Sequence, residues 1–173
     1  RKAAVFNILD KENFWKEGTI NMDIGGGKFN NATIFLNTKG VRSYIYDPYN
    51  RTEIQNNEAV SKAANGKSDT VTINNVLNVI PEENAQNQKT ILLQAKNALK
   101  IGGTVVITNY EGDGTGVGKY TIKGYQQNKK LASYLENVKT IFPNARIVGK
   151  TIRATKETGS TKQSKMYNDP GSP

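Results

Sequence analysis

The chain has 173 residues, about the length of one domain, and its 24 Lys and Arg against 15 Asp and Glu give a formal charge of +9. Only 36% of the residues are hydrophobic, so the surface carries a positive field suited to phosphate-rich or acidic partners. There is no Cys and no His, which excludes thiolate nucleophiles, disulfides, Cys/His zinc sites and Ser-His-Asp hydrolysis.

Residues 3–18, AAVFNILDKENFWKEG, read as a short helix or loop anchored by Phe6, Phe14 and Trp15, with Trp15 at the edge of the core. A strand is predicted over Thr19 to Ile24, running directly into Gly25, Gly26 and Gly27. NNATIFLNTKG then places Ala32, Phe35 and Leu36 at helical spacing and stops at Gly40, and VRSYIYD alternates as a second strand ending at Asp47. Residues 50–67 are polar, with EAVSKAANG the best helical stretch. A third strand is expected over residues 69–76, DTVTINNV.

The clearest helix is EENAQNQKTILLQAKNALKIGG, with Ile91, Leu92, Ala95 and Leu99 in one stripe and Gly102 and Gly103 at its end. TVVITNY reads as a buried strand, EGDGTGVGKYTIKG as a glycine-rich loop, and QNKKLASYLENVKTIF as a helix closed by Pro143. ARIVGKTIRAT supplies a last strand or hairpin. Residues 157–173 lack apolar periodicity and predict a flexible basic tail after a domain over residues 1–156. No run approaches the roughly 20 apolar residues of a membrane span and no secretory leader is evident, so the expected setting is soluble and cytoplasmic, with no membrane partner.

Strands alternating with helices predict an α/β, Rossmann-like fold: an open, mostly parallel twisted sheet, helices on both faces, and an antiparallel strand at one edge. Ligands of such sheets bind beyond the carboxyl ends of the strands, where Gly25, Gly26 and Gly27 fall. Glycine permits positive φ and lacks the Cβ that would block close approach. Asp47 stands 24 positions after Asp23 at the end of the next strand, a spacing suited to a carboxylate that grips a ribose diol. The same residues also suit a tight turn, since Asp47 opens the turn-like DPYN. A dinucleotide fingerprint would need a third glycine where Asn30 stands, and a P-loop would need Ser or Thr where Phe29 follows Lys28.

The stretch NMDIGGGKFN resembles the first motif of class I S-adenosylmethionine-dependent methyltransferases, an acidic residue ahead of a glycine turn. YIYDPYN is similar to the family's second motif, SDTVTINNVLNVIPEE to its fourth, and AKNALKIGGTVVITNYEG to the helix, paired glycines and strand that follow. The resemblance covers residues 19 to about 112. It implies S-adenosylmethionine as cofactor, held by Asp23, Gly25, Gly26, Gly27, Asp47, Pro48, Asn74 and Asn75. The family's third strand, with its contact to adenine, is not evident in QNNEAVSKAANGKSD, where Asn57 and Glu58 are the candidates. Within the family, NYEGDGTGVGKYTIKGYQQNKK is similar to small methyltransferase-like domains of phages and mobile elements.

Methyl transfer asks the protein mainly for positioning, because the cofactor carries the reactive group. Without Cys, methylation at cytosine C5 is excluded, and Asn74-Asn75-Val76-Leu77 departs from the [DN]-P-P-[YF] pattern of amino-directed DNA enzymes. The loop after TVVITN offers Glu111 and Asp113 to orient or deprotonate an acceptor and Tyr110 to stack on a planar one. Gln126, Gln127, Asn128, Lys129 and Lys130, with Lys123, form a candidate phosphate-facing rim. The expectation is methyl transfer to a nucleic acid or another large acceptor. A noncatalytic binding module on the same fold and a nicotinamide-dependent oxidoreductase are the alternatives.

Overall fold

The computed structural model describes residues 2–81, 85–122 and 124–157. Along the chain come α1 (Ala4–Lys11), β1 (Ile20–Ile24), α2 (Asn31–Thr38), β2 (Arg42–Tyr46), α3 (Glu53–Ala63) and β3 (Ser68–Asn74). They are followed by α4 (Ala85–Ala98), β4 (Leu99–Thr108), β5 (Lys119–Thr121), β6 (Gly124–Gln126), α5 (Leu135–Lys139), β7 (Arg146–Val148) and β8 (Thr151–Thr155). The main sheet has the order β2-β1-β3-β4-β8-β7, parallel from β2 to β4 and antiparallel where β8 and β7 join. This is the expected open, mostly parallel sheet, with two antiparallel strands at one edge.

Alternation along the strands separates two buried faces. Met22 and Ile24 of β1, Val71 and Ile73 of β3, and Val105 and Ile107 of β4 pack with Ala59 and Ala63 of α3 and Leu92, Ala95 and Ala98 of α4. Tyr134, Val138 and Phe142 close the same cluster. On the other face, Val5, Phe6 and Leu9 of α1 and Leu36 of α2 pack with Trp15, Val41 and Val106. Trp15 is the edge anchor expected of it: its Nε1 donates to the Phe6 carbonyl at 3.2 Å and its ring meets Phe14 edge-on at 4.9 Å.

Three elements differ from the sequence expectation. α3 starts at Glu53, five residues before EAVSKAANG, because Thr52 and Gln55 form a reciprocal capping box with bonds of 3.1 and 3.0 Å. The segment in which the family's third strand was not evident is helix as far as Ala63, and β2 is the sheet's edge. α4 ends at Ala98, and Gly102 and Gly103 lie within β4 instead of capping the helix. There, Gly102 N donates to the Lys156 carbonyl at 2.7 Å, and a Cβ on Gly103 would stand 2.9 Å from the Asp69 carbonyl, so strand pairing claims both glycines. The last predicted helix is shorter, a 3₁₀ turn over Leu131–Tyr134 leading into α5.

The glycine-rich loop contains the two-stranded hairpin of β5 and β6. No helix among the described residues is long and apolar enough to cross a membrane. Lys123 and all of the expected tail but Glu157 lie outside the described residues.

Candidate functional site

β1 delivers the glycines to the carboxyl end of the sheet. Gly25 N donates to the Tyr46 carbonyl at 2.8 Å, extending the pairing with β2 by one bond before the chain turns. Gly25 and Gly27 have φ of +72° and +83°, a region that disfavours any residue with a Cβ. A Cβ at Gly25 would stand 2.5 Å from Val76 Cγ2, and one at Gly26 would collide with Asp23 Oδ2. At Gly27 the same atom would meet nothing within 4 Å. Two glycines thus let the loop pack down, and the third leaves open the space beside its Cα.

Asp47 holds this loop. Its Oδ2 accepts from Gly27 N and Asn50 Nδ2, both at 3.0 Å, and its Oδ1 accepts from Tyr49 N at 3.0 Å and Asn50 N at 3.1 Å. All four acceptor positions of the carboxylate are therefore engaged within the protein. Pro48 sits at the first corner of the turn that presents these amides, where its fixed φ is suited. The Asp47 peptide is clamped in turn by Asn56, whose Oδ1 accepts from Asp47 N at 2.8 Å and whose Nδ2 donates to Asp47 O at 3.1 Å. Arg51 closes the loop from outside, donating to Gly27 O at 2.9 Å, Phe29 O at 3.3 Å and Asn30 Oδ1 at 2.6 Å.

Beneath the glycines runs a buried polar row on the α2 face. Thr70 Oγ1 donates to Asn21 Oδ1 at 2.8 Å, Asn21 Nδ2 donates to Ser43 Oγ at 3.1 Å and Thr72 Oγ1 at 3.2 Å, and Thr72 Oγ1 donates to Asp23 Oδ1 at 2.9 Å. Burial pushes the Asp23 carboxyl up to about 7, aided by the nearby charge of Asp47 and opposed by the Thr72 hydroxyl and the Arg51 guanidinium. Asp23 is thus a buried group that titrates near neutrality directly under Gly26.

At the ends of β3 and β4, Asn74 Oδ1 accepts from Thr108 Oγ1 at 2.8 Å while its buried Nδ2 has no partner among the described residues. Asn75 adopts φ +58° and donates its N–H to the Thr108 carbonyl at 2.8 Å. Both amide atoms of Asn109 are buried and without a partner among the described residues, as is Asn78 Oδ1. Val76 touches the Gly25 position, so the loops after β1 and β3 form one surface. The eight residues of the expected cofactor set therefore gather at the carboxyl ends of β1, β2 and β3.

Asn57 and Glu58 do not join them, since both lie exposed on α3 rather than on a strand. The loop residues are placed differently again. Glu111 Oε2 accepts from Leu131 N at 2.6 Å, starting the 3₁₀ turn. Asp113 Oδ1 accepts from Thr115 N at 3.0 Å and Thr115 Oγ1 at 2.8 Å, bonds that hold its carboxyl below the ordinary range. Asn128, at φ +58°, ties the loop together by accepting from Asp113 N at 3.3 Å and donating to Val117 O at 2.9 Å. Tyr110 is largely exposed, and its carbonyl accepts from Gln126 Nε2 at 3.0 Å.

Sequence reasoning missed Arg51, Asn56, Thr72 and Asn109 as members of this region. Arg51 and Asn56 carry a readable signal only in being close after DPYN, and Thr72 only in lying in the strand that pairs with Asp23. Among the described residues no group of three or more His, Cys, Asp or Glu is placed to hold a metal.

Neither a protein-family model nor a curated protein sequence matches the chain. Solved structures do. A Burkholderia thailandensis 1,6-didemethyltoxoflavin-N1-methyltransferase, solved with bound 1,6-didemethyltoxoflavin and S-adenosylhomocysteine, superposes with a TM-score of 0.63 at 14% identity over 88% of this chain and 76% of that one. A TehB-like S-adenosylmethionine-dependent methyltransferase of Corynebacterium glutamicum gives 0.52 at 15% identity over 88% and 86%. A T. thermophilus 16S rRNA N2 G1207 methyltransferase, solved with S-adenosylmethionine and guanosine, gives 0.50 at 14% identity over 91% of this chain and 40% of that one. These likenesses show that the chain has the fold of class I S-adenosylmethionine-dependent methyltransferases.

Proposed function

We propose that this protein transfers a methyl group from S-adenosylmethionine, held across the Gly25–Gly27 loop at the carboxyl ends of β1 and β2. The observation that carries the reading is the open space at the Gly27 Cα, held at positive φ with its N–H bonded to Asp47, and with Asp23 buried against the neighbouring Gly26. Similar folds solved with S-adenosylmethionine or its product support the choice of cofactor.

The residues fit that group. Gly27 leaves room for close approach, and Asn74 brings a donor that has no partner among the described residues to the end of the neighbouring strand. Asp47 would accept from one ribose hydroxyl if the Asn50 side chain released Oδ2, its other three acceptor positions staying with Gly27, Tyr49 and the Asn50 amide. Pro48 sets the turn after Asp47, Asp23 supports Gly26, and Asn74 and Asn75 would meet the cofactor from the end of β3. When bound, the cofactor supplies a methyl group already activated on a sulfonium, so the chain has mainly to align an acceptor and exclude water.

We read the acceptor as a nucleic acid. The formal charge of +9 supports this, as do the exposed Tyr110 ring, the exposed Tyr120 ring next to Lys119 in β5, and the rRNA-acting enzyme among the similar folds. Glu111 and Asp113 act by shaping the acceptor loop, since their carboxylates are bonded to Leu131 and Thr115.

That engagement also favours a second reading, a binding module that keeps the cofactor pocket without acceptor chemistry. Incubation with methyl-labelled S-adenosylmethionine and separate RNA, DNA and protein pools distinguishes the two. Label in a nucleic acid pool supports methyl transfer to that acceptor. Cofactor binding without label in any pool supports the module, and no binding removes both.

A further inference from the structure

β2 is an edge strand with a groove along its open side. The pairing with β1 determines which backbone groups of β2 are left over. Arg42 N donates to the Thr19 carbonyl at 3.0 Å, and the Tyr46 carbonyl accepts from Gly25 N at 2.8 Å, so residues 42, 44 and 46 turn their peptide groups toward β1. Ser43, Ile45 and Asp47 therefore turn theirs to the open side. At Asp47, the Asn56 side chain takes both groups as a neighbouring peptide would. At Ser43 and Ile45 no described residue takes them, although these residues are only 7% and 6% exposed. These peptide groups face the groove with no neighbouring strand among the described residues, so the edge is open to receive one.

The space beside them measures about 550 Å³. Its floor is β2, one wall comes from Thr33, Ile34 and Asn37 of α2, and the other from Gln55, Glu58 and Ala59 of α3. We propose that this groove receives an extended peptide segment of another protein, bearing an acidic side chain, which adds to the sheet as a strand beside β2.

The occupant is a single strand because the edge is recessed. A second copy would present the same edge between its own α2 and α3, so pairing the two edges would bring four helices together. Each copy also carries a formal charge of +9, which opposes their approach. The acidic requirement follows from Arg42. It is exposed at the groove, and no carboxylate pairs with it among the described residues, whereas Arg51 is bound to Gly27, Phe29 and Asn30. Ile34, 63% exposed at the mouth, suits a β-branched side chain on the opposite face of the added strand. Glu58 disfavours a second acidic residue next to the first.

The test uses the full chain and the peptide acetyl-Thr-Val-Asp-Val-Thr-Val-amide at up to millimolar concentration, followed by amide-resolved NMR and hydrogen exchange. Binding is expected to shift the Ser43 and Ile45 amides and slow their exchange. Two companion peptides, each N-methylated on one alternate set of amides, are expected to differ, because only one set faces β2. Arg42→Glu, on an exposed side chain, is expected to keep the melting temperature, weaken the acidic peptide about tenfold and strengthen the peptide with Lys in place of Asp. The proposal is overturned by absence of binding, by equal binding of both N-methylated peptides, or by binding that leaves the Ser43 and Ile45 amides unchanged. It is equally overturned if those amides are already protected in a dimer seen by sedimentation.

Discussion

Replacing Asp23 by Asn tests the electrostatics beneath the glycine loop. A free Asp ionises near 3.8, whereas the buried Asp23 is pushed up to about 7. Between those two values the unfolded chain has lost its proton while the native chain keeps it, so native stability falls as pH rises and levels off above about 7. A gap of about three units at about 1.36 kcal/mol each makes the full loss about 4 kcal/mol, an upper figure because local relaxation reduces it. Asn cannot ionise and can still accept from Thr72 through its Oδ1. The variant should match the parent near pH 4 and exceed it in stability near pH 8. Urea unfolding followed by the fluorescence of Trp15, the single tryptophan, measures both across that range. Asp113, whose carboxyl is lowered and contributes the opposite slope, is common to both proteins and cancels in the difference. Parallel stability curves from pH 4 to 8 would refute the reasoning.

Other substitutions probe the loop geometry. Gly26→Ala places a Cβ against the Asp23 carboxylate and should lower stability by about 1–3 kcal/mol in thermal unfolding, with loss of cofactor binding. Asn56→Ala strands the Asp47 peptide groups and should cost about 1–3 kcal/mol, whereas Asn57→Ala on the exposed side of α3 should stay within about 0.5 kcal/mol. Equal effects of the two Asn substitutions in chemical denaturation would contradict the clamp. Asn128→Ala removes the tie between Asp113 and Val117, and limited proteolysis should cut within residues 111–118 faster than in the parent.

The parts of the fold that were legible in the sequence are those set by short-range pattern. β1 and β2 follow from β-branched and aromatic residues that run into Gly25 and Asp47, and the two-faced core follows from the alternation of Met22, Ile24, Val71 and Ile73 with polar neighbours. The start of α3 was illegible by apolar period because the helix is mostly polar, and only the Thr52–Gln55 pair announces it. Gly102 and Gly103 look like a helix stop locally, but their conformation serves pairing with Asp69 and Lys156, partners distant in sequence.

The site divides in the same way. Asp23, the glycines and Asp47 were readable because strand ends in such sheets converge. The clamps from Arg51 and Asn56 depend on how the turn after β2 folds back, which no spacing rule encodes. Glu111 and Asp113 stand where acceptor chemistry was expected, yet their hydrogen bonds go to the loop itself, a choice made by Leu131 and Thr115.

Titration calorimetry with S-adenosylmethionine tests the central claim most directly, on the intact protein and on Gly27→Ala. That substitution meets no neighbouring atom but fills the open space beside the Cα, at a conformational cost of about 1–2 kcal/mol. The account predicts one binding event per chain for the intact protein and at least about tenfold weaker binding for a still-folded Gly27→Ala, as that change blocks the approach. No heat of binding from the intact protein, or equal affinity in the two, would contradict it.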